Sequence, residues 1–297
     1  MLNAVSAYRD WMDRFSAMTH LDVWYARLEV SDLIDVMAPA QRRNIDQSMA
    51  KITSKTHLKA QAKLTEVVDG KRRIVEDPPL VQLVEGPELQ QRLEGVLSGY
   101  RTSLPADRRA LFDQYRFVDF ARKVVGVGSV GTRCWIALFQ GPNGGPLFLQ
   151  LKEARASSPQ LAVGNKSRMH MGQRVVEGQR MLQASSDVLL GWGTDPVSDI
   201  HYYVRQLWDS KGSIDIAALR GPGFDTYATF CGWALARAHA RTGDSVTISG
   251  YVGSSERFAE SIADFAEAYA DQTVRDHALL VAAIASGALS ATPTPAW

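Results

Sequence analysis

The chain has 297 residues, of which 45% are hydrophobic and 22% charged, so it holds enough apolar material for one large or two ordinary globular domains. Its 33 basic and 32 acidic side chains give a formal net charge of +1. This balance excludes a global electrostatic field that would draw the chain to nucleic acid or to a membrane surface.

The N-terminal residues and the cysteines narrow the class of protein further. The first fifteen residues lack a basic region followed by an apolar core, so they do not resemble a secretory signal. The most apolar stretch, Ala278 to Leu289, is too short to span a bilayer. Cys134 and Cys231 form no C-x-x-C motif, and we expect two reduced core thiols. These features predict a cytoplasmic protein with no membrane partner.

Residues 1–116 are predicted to be mainly helical with one β-hairpin. Val5 to Met18 has apolar residues at helical spacing. The hairpin is expected within Lys63 to Glu76, because Asp69-Gly70 is a strong turn dipeptide. Further helices are expected from Pro87 to Leu97 and from Pro105 to Tyr115.

Residues 117–220 are predicted to form an antiparallel sheet with one helix. The helix is expected within Asn165 to Ser185. The strand-like runs are Phe117 to Val125, Thr132 to Phe139, Leu147 to Leu151, Val188 to Leu190 and Tyr202 to Val204. Together with the helical segments on either side, this pattern predicts the α+β class.

The remaining residues, 221–289, are predicted to be helical. One helix covers Phe224 to Arg241, and a second covers Glu256 to Ser286 and is broken or capped near Asp271 to Thr273. The tail, 290–297, carries two prolines and is predicted to be disordered.

A glycine-rich sequence, Gly126-Val-Gly-Ser-Val-Gly131, lies between the first two predicted strands of the sheet. Glycines allow backbone N–H groups to approach phosphates that a Cβ would keep away, so Gly126, Gly128, Ser129 and Gly131 are candidate phosphate-binding residues. Three interpretations remain open: a plain glycine-rich hairpin, a dinucleotide-binding turn, and a kinase-like phosphate loop. A dinucleotide-binding turn requires a helix directly after the glycines, whereas the residues after Gly131 favour a strand.

Lys152 and Glu177 extend the kinase-like interpretation. Lys152 follows the third predicted strand, where kinase-like folds place a lysine that pairs with the nucleotide phosphates. Glu177 lies within the helix that follows, and we predict an ion pair between the two side chains. The alternative is a solvated Glu177. Arg133 departs from the pattern, because kinases usually carry a small apolar residue at that point after the glycines.

Long runs along the chain resemble the bacterial family called domain of unknown function 2252 (DUF2252). The matching runs are LDVWYARL (21–28), EDPPL (76–80), ARKVVGVGSVGTRCW (121–135), LFLQLKEA (147–154), GQRVVEGQRMLQ (172–183), CGWALARAHARTGD (231–244) and YADQTVRD (269–276). The resemblance implies an apparently circularly permuted, protein-kinase-like fold. It also implies that this chain corresponds to the C-terminal two-thirds of longer members, which carry a segment like G-D-x-H-x-x-N-F-G before the glycine loop.

No string of that kind occurs in this sequence, and neither does H-R-D or D-F-G. Phosphoryl transfer needs Mg²⁺ held by side-chain oxygens and a group that orients the nucleophile. We therefore expect this chain to be the ATP-binding portion of a kinase-like phosphotransferase and to be inactive on its own. Mg²⁺ ligands are expected outside it, and the acceptor is an unassigned small molecule or protein. The alternative is a non-catalytic nucleotide-binding or scaffold protein. Nucleic acid is not expected as a partner.

Overall fold

The computed structural model describes residues 1–27, 64–68, 71–126, 131–164, 169–207, 216 and 219–291. The chain divides into two compact units. The helical unit comprises Met1–Ser48, Met181–Ala184 and Ser213–Trp297, and the sheet unit comprises Met49–Arg180 and Ser185–Gly212. The predicted division at residues 116, 220 and 289 stays a prediction.

The described residues contain both strands and helices. The strands are β1 (Thr65–Val68), β2 (Lys71–Ile74), β3 (Val81–Leu83), β4 (Arg116–Lys123), β5 (Cys134–Gln140), β6 (Pro146–Glu153), β7 (Gly191–Thr194) and β8 (His201–Gln206). The helices are α1 (Leu2–Ser16), α2 (His20–Tyr25), α3 (Pro87–Ser103), α4 (Ala106–Phe112), α5 (Ser158–Ala162), α6 (Met171–Leu182), α7 (Pro222–Thr242), α8 (Ser245–Val252) and α9 (Arg257–Ala285). The α+β class predicted from the sequence is confirmed.

The sheet unit is built on a six-stranded sheet in the order β3-β4-β5-β6-β8-β7, and every neighbouring pair is antiparallel. Strands β1 and β2 form a separate hairpin, as predicted, although its turn, Asp69-Gly70, lies outside the described residues. Six consecutive residues of β6 are buried, Pro146 to Leu151, because this central strand is covered on both faces.

Each face of the sheet has its own hydrophobic cluster. The first includes Leu149 and Leu151 of β6 and packs against α3 through residues such as Val96 and Tyr100. The second includes Ile136 and Phe148 and packs against Ile74 of the β1–β2 hairpin. Alternation along the strands sends neighbouring side chains to opposite faces, so β6 contributes to both clusters.

The helical unit has a third cluster, formed by α1, α2 and α7. Met12 and Phe15 of α1 pack against Trp233 and Ala236 of α7. The two helices approach closely at Gly232, where an added Cβ would meet the backbone carbonyl of Ala4. This contact explains a glycine inside a long helix, a position at which glycine is otherwise unfavourable.

Three predictions are wrong, two about secondary structure and one about a cysteine. Val188 to Leu190 forms a turn, and the strand begins at Gly191, because the Asp187 carboxylate accepts hydrogen bonds from the backbone N–H groups of Leu189 and Gln206. Helix α9 continues through 271–273, where the Thr273 hydroxyl donates to the Tyr269 carbonyl. Cys231 is exposed, whereas Cys134 is buried as expected, and both thiols are free.

Candidate functional site

The glycine sequence connects two neighbouring antiparallel strands. Ala121 and Arg122 of β4 pair with Ile136 and Trp135 of β5, so the predicted strand–turn–strand hairpin is confirmed. No helix begins at Gly131, which has a φ of +74° that favours glycine. Gly126 is exposed, and an added Cβ would have no neighbour within 4 Å. Gly128 and Ser129 lie outside the described residues.

Lys152 lies on the next strand, one residue before the end of β6. The register places it opposite Cys134 of β5 on one side and Tyr203 of β8 on the other. It therefore shares the face of the second cluster, whereas Leu151 points into the first. Lys152 is half-buried, and burial followed by the nearby charge of Arg205 lowers the pKa of its ammonium group.

A group of cations, Lys123, Lys152 and Arg205, surrounds the buried thiol of Cys134; we call these three residues the cationic patch. Burial raises the pKa of Cys134 to about 11, although the three positive charges oppose that rise. Within the residues that the structure describes, neither Lys152 nor Arg205 forms an ion pair with a carboxylate. The positive charges of Lys152 and Arg205 are therefore not neutralised by any described carboxylate.

Glu153 ties the end of the glycine loop to β6. Its carboxylate accepts hydrogen bonds from the backbone N–H of Arg133 at 2.9 Å, from the Arg133 guanidinium at 3.0 Å and from Arg155 Nε at 2.6 Å. Arg155 also donates to the carbonyl of Gly131 at 2.8 Å. Burial opposes ionisation of Glu153, but the bonds from Arg155 and Arg133 outweigh it and leave its pKa below the ordinary value.

These contacts account for Arg133, the departure from the kinase pattern noted in the sequence. The residue that reaches the cationic patch from β5 is Cys134, which pairs with Lys152. Arg133 instead binds Glu153 at the loop exit, with about half of its side chain exposed (51%).

The predicted ion pair between Lys152 and Glu177 is wrong for this structure. Glu177 Oε1 accepts a hydrogen bond of 2.6 Å from Gln173 Nε2, one turn earlier on α6. Both residues lie within the described part of the chain, and no ion pair joins them. The roles predicted for Lys152 and Glu177 in nucleotide binding stay predictions.

Residues 1–283 match the model of a family described as uncharacterized protein conserved in bacteria (DUF2252). The chain belongs to the DUF2252 family. No curated protein and no solved structure matches it. In the part of this DUF2252 chain that the structure describes, no helix combines the length and apolarity needed to cross a bilayer.

Two histidines that the sequence analysis did not select hold the start of α6 in this DUF2252 chain. His170 Nδ1 accepts from the backbone N–H of Gln173 at 3.1 Å, and His201 Nδ1 accepts from that of Met171 at 3.0 Å. The two rings stack with centroids 3.9 Å apart, and His170 Nε2 lies 2.8 Å from Thr194 Oγ1. His170 lies inside the helix predicted from Asn165 to Ser185, whereas the observed helix begins at Met171, and its partner His201 comes from a distant strand.

Two other carboxylates in the runs that resemble DUF2252, Asp244 and Asp276, have local structural roles. Asp244 caps α8 by accepting from the backbone N–H groups of Val246 and Thr247. Asp276 accepts from Gln272 within α9. Among the described residues, no three His, Cys, Asp or Glu side chains come together as metal ligands.

Proposed function

We propose that this chain binds the phosphates of ATP, with Mg²⁺, at the glycine loop and the cationic patch, as the nucleotide-binding part of a kinase-like phosphotransferase. The observation that carries the proposal is Lys152, a half-buried cation with no acidic partner among the described residues. Burying a charge without a counter-charge costs free energy. A bound phosphate would supply that counter-charge and offset the cost.

The order of elements supports a kinase-like arrangement. A glycine loop joins two neighbouring antiparallel strands, the next strand carries Lys152, and helix α6 follows. Protein kinases use this order to cover the nucleotide phosphates and to place a lysine beside them. In kinases the strand lysine pairs with a helix glutamate only when the helix is correctly placed. A Glu177 that is bonded to Gln173 is therefore consistent with a Lys152 that has no carboxylate partner.

Catalysis would require more than this site offers. Metal bridging and orientation of the nucleophile supply most of the transition-state stabilisation in phosphoryl transfer. Among the described residues, no three His, Cys, Asp or Glu side chains form a cluster that could hold a metal ion. The second candidate is a nucleotide-binding or scaffold protein without transfer activity, which the same observation favours.

The direct test is calorimetric titration of the whole chain with Mg-ATP, comparing Lys152→Met with Arg122→Ala. Met keeps the aliphatic stem and removes the charge. Arg122 is a matched control, because it is an exposed cation on β4 paired with Trp135, on the opposite face of the sheet. We expect Lys152→Met to weaken binding about 10- to 100-fold, as for loss of a hydrogen bond to a charged group. Unchanged affinity would refute the proposal.

The two candidate functions separate in a transfer assay with radiolabelled ATP and mixtures of small-molecule and protein acceptors. We expect binding without useful transfer. Robust transfer that is abolished by Lys152→Met would show that this chain carries its own metal ligands and base.

A further inference from the structure

We infer that the anion site is built for a polyphosphate, a ligand with at least two adjacent charged groups, and that Arg205 is its second binding cation. The inference rests on the proposed function, because it assigns Lys152 to the same ligand. It goes further by naming a residue on another strand and by ranking ligands according to the number of their phosphates.

Arg205 is held in place by a buried amide. It lies on β8 opposite Gln150 of β6, two residues along from the Lys152–Tyr203 pair and on the same face of the sheet. Gln150 is 2% exposed, and its Oε1 accepts from both Arg205 Nε and a terminal guanidinium nitrogen, each at 3.2 Å. The Gln150 side chain also lowers the pKa of the neighbouring Cys134 thiol, against the larger effect of burial.

This amide fixes the guanidinium without neutralising it. A carboxylate at position 150 would have paired with Arg205, whereas a neutral amide only orients it. Arg205 forms no ion pair within the described residues, and its remaining N–H groups can donate to phosphate oxygens. The planar fork of arginine suits bidentate contact with phosphate.

The spacing of the two cations favours a ligand longer than one phosphate. Two residues that lie diagonally opposite each other on neighbouring strands are about 7–8 Å apart, a distance that long side chains can span. Lys152 and Arg205 have this relation, since Lys152 pairs with Tyr203 and Arg205 with Gln150. Their mutual repulsion also lowers the pKa of Lys152, after the effect of burial. A ligand with two linked phosphates would place an anionic group beside each cation, whereas a single phosphate would have to bring both side chains to the same group.

The experiment measures affinities of the whole chain for inorganic phosphate, pyrophosphate, tripolyphosphate, AMP and ATP by calorimetry at constant ionic strength. We expect tripolyphosphate and pyrophosphate to bind at least about tenfold more tightly than phosphate, as one further charged hydrogen bond would give. Arg205→Gln should weaken the binding of tripolyphosphate and of ATP by a similar factor and should change the affinity for phosphate less. Arg122→Ala should change none of them.

A second measurement uses the unaltered protein, in case Arg205→Gln fails to fold. The chain is treated with an arginine-selective dicarbonyl reagent, and the modified residues are quantified by mass spectrometry. Tripolyphosphate should protect Arg205 and leave Arg122 as reactive as before. Equal reactivity of Arg205 with and without the ligand would overturn the inference.

The possible results distinguish failure of the Arg205 assignment from failure of the proposed nucleotide binding. ATP binding that depends on Lys152 but is unchanged by Arg205→Gln refutes the inference and leaves the proposed function standing. Equal affinity for phosphate and tripolyphosphate also refutes the inference alone. If no phosphate compound binds, both fail. Protection of Arg205 together with a ranking by phosphate number supports both.

Discussion

At the scale of single residues, Lys152 lies between Cys134 of β5 and Tyr203 of β8. Its place near the end of a strand could be predicted, because the apolar run Leu147 to Leu151 is typical of a buried strand. Its neighbours could not, since Cys134, Tyr203 and Arg205 come from other strands. The predicted Glu177 partner failed for a local reason: Gln173 lies one helical turn away and binds the carboxylate.

The lowered pKa of Lys152 predicts proton uptake when a nucleotide binds. Burial and Arg205 depress this pKa in the free protein, so Lys152 loses its proton at a lower pH than an ordinary lysine. A bound phosphate favours the charged form and raises the pKa again. Between the two values the chain therefore takes up a proton on binding.

The measurement is calorimetric titration with Mg-ATP at several alkaline pH values, in buffers that differ in ionisation enthalpy. The apparent enthalpy should depend on the buffer for the natural chain and much less for Lys152→Met, with Arg122→Ala behaving like the natural chain. Buffer-independent heats across the alkaline range would contradict the assignment of Lys152 to the phosphate site.

At the scale of elements, the attachment of α6 to the sheet was the least predictable feature. The helix itself follows from its sequence, but its N-terminus depends on His201 and on close approach to β8. An added Cβ at Gly172 would meet the backbone carbonyl of Tyr202, whereas at Gly178 it would meet nothing within 4 Å. Glycine spacing in the sequence does not distinguish these two positions.

Alanine at these two glycines of α6 should therefore have opposite effects. Gly172→Ala forces α6 away from β8 and should lower the free energy of unfolding by about 1–3 kcal/mol, as in other overpacked sites. Gly178→Ala should raise it by about 0.5–1 kcal/mol, because alanine is the better helix former. Urea titrations followed by circular dichroism give both values. Similar changes for the two variants would refute the close approach of α6 to β8.

The histidine at the start of α6 should make stability depend on pH. Burial first, and then the neighbouring His201, lowers the pKa of His170 below its ordinary value of 6.5. Because the unfolded chain then binds the proton more readily than the folded chain, stability falls as the pH drops through that ordinary value and below it. Protonation of Nδ1 would also remove the acceptor for the Gln173 N–H.

His170→Asn should remove most of this contribution, since asparagine can cap the helix without titrating in that range. His170→Ala should cost about 1 kcal/mol at pH 7 through loss of the cap. Thermal unfolding of the three proteins at pH 5 and pH 7 provides the comparison. An equal loss of stability at pH 5 in the natural chain and in His170→Asn would count against this role.

At the scale of the whole molecule, the sequence indicated the α+β class and four of the six strands of the main sheet. Strands β5 and β6 are runs of mainly apolar and aromatic residues, which is a strong local signal. The short strand Val81–Leu83 was missed, because three residues carry little pattern. Val188–Leu190 was misassigned, because the turn depends on the Asp187 carboxylate. This carboxylate also accepts a hydrogen bond from the backbone N–H of the distant Gln206. Long-range contacts decide such segments.

Each of the two units has its own hydrophobic core, and this gives a prediction for the protein as a whole. The residues proposed to bind phosphate all lie in the sheet unit, whereas Met12, Phe15 and Trp233 belong to the core of the helical unit. A ligand stabilises the folded form of the region that binds it. At a concentration one hundred times its Kd, the gain is about 2.7 kcal/mol.

Hydrogen exchange followed by mass spectrometry tests this expectation for each segment. With saturating Mg-ATP, peptides covering 116–123, 134–140 and 146–153 should exchange more slowly, and Lys152→Met should abolish the effect. Peptides covering 2–16 and 222–242 serve as the internal control and should change less, because the ligand contacts none of their residues in the proposed site. Protection confined to the helical unit would show that nucleotide binds elsewhere and that the glycine loop is a plain hairpin.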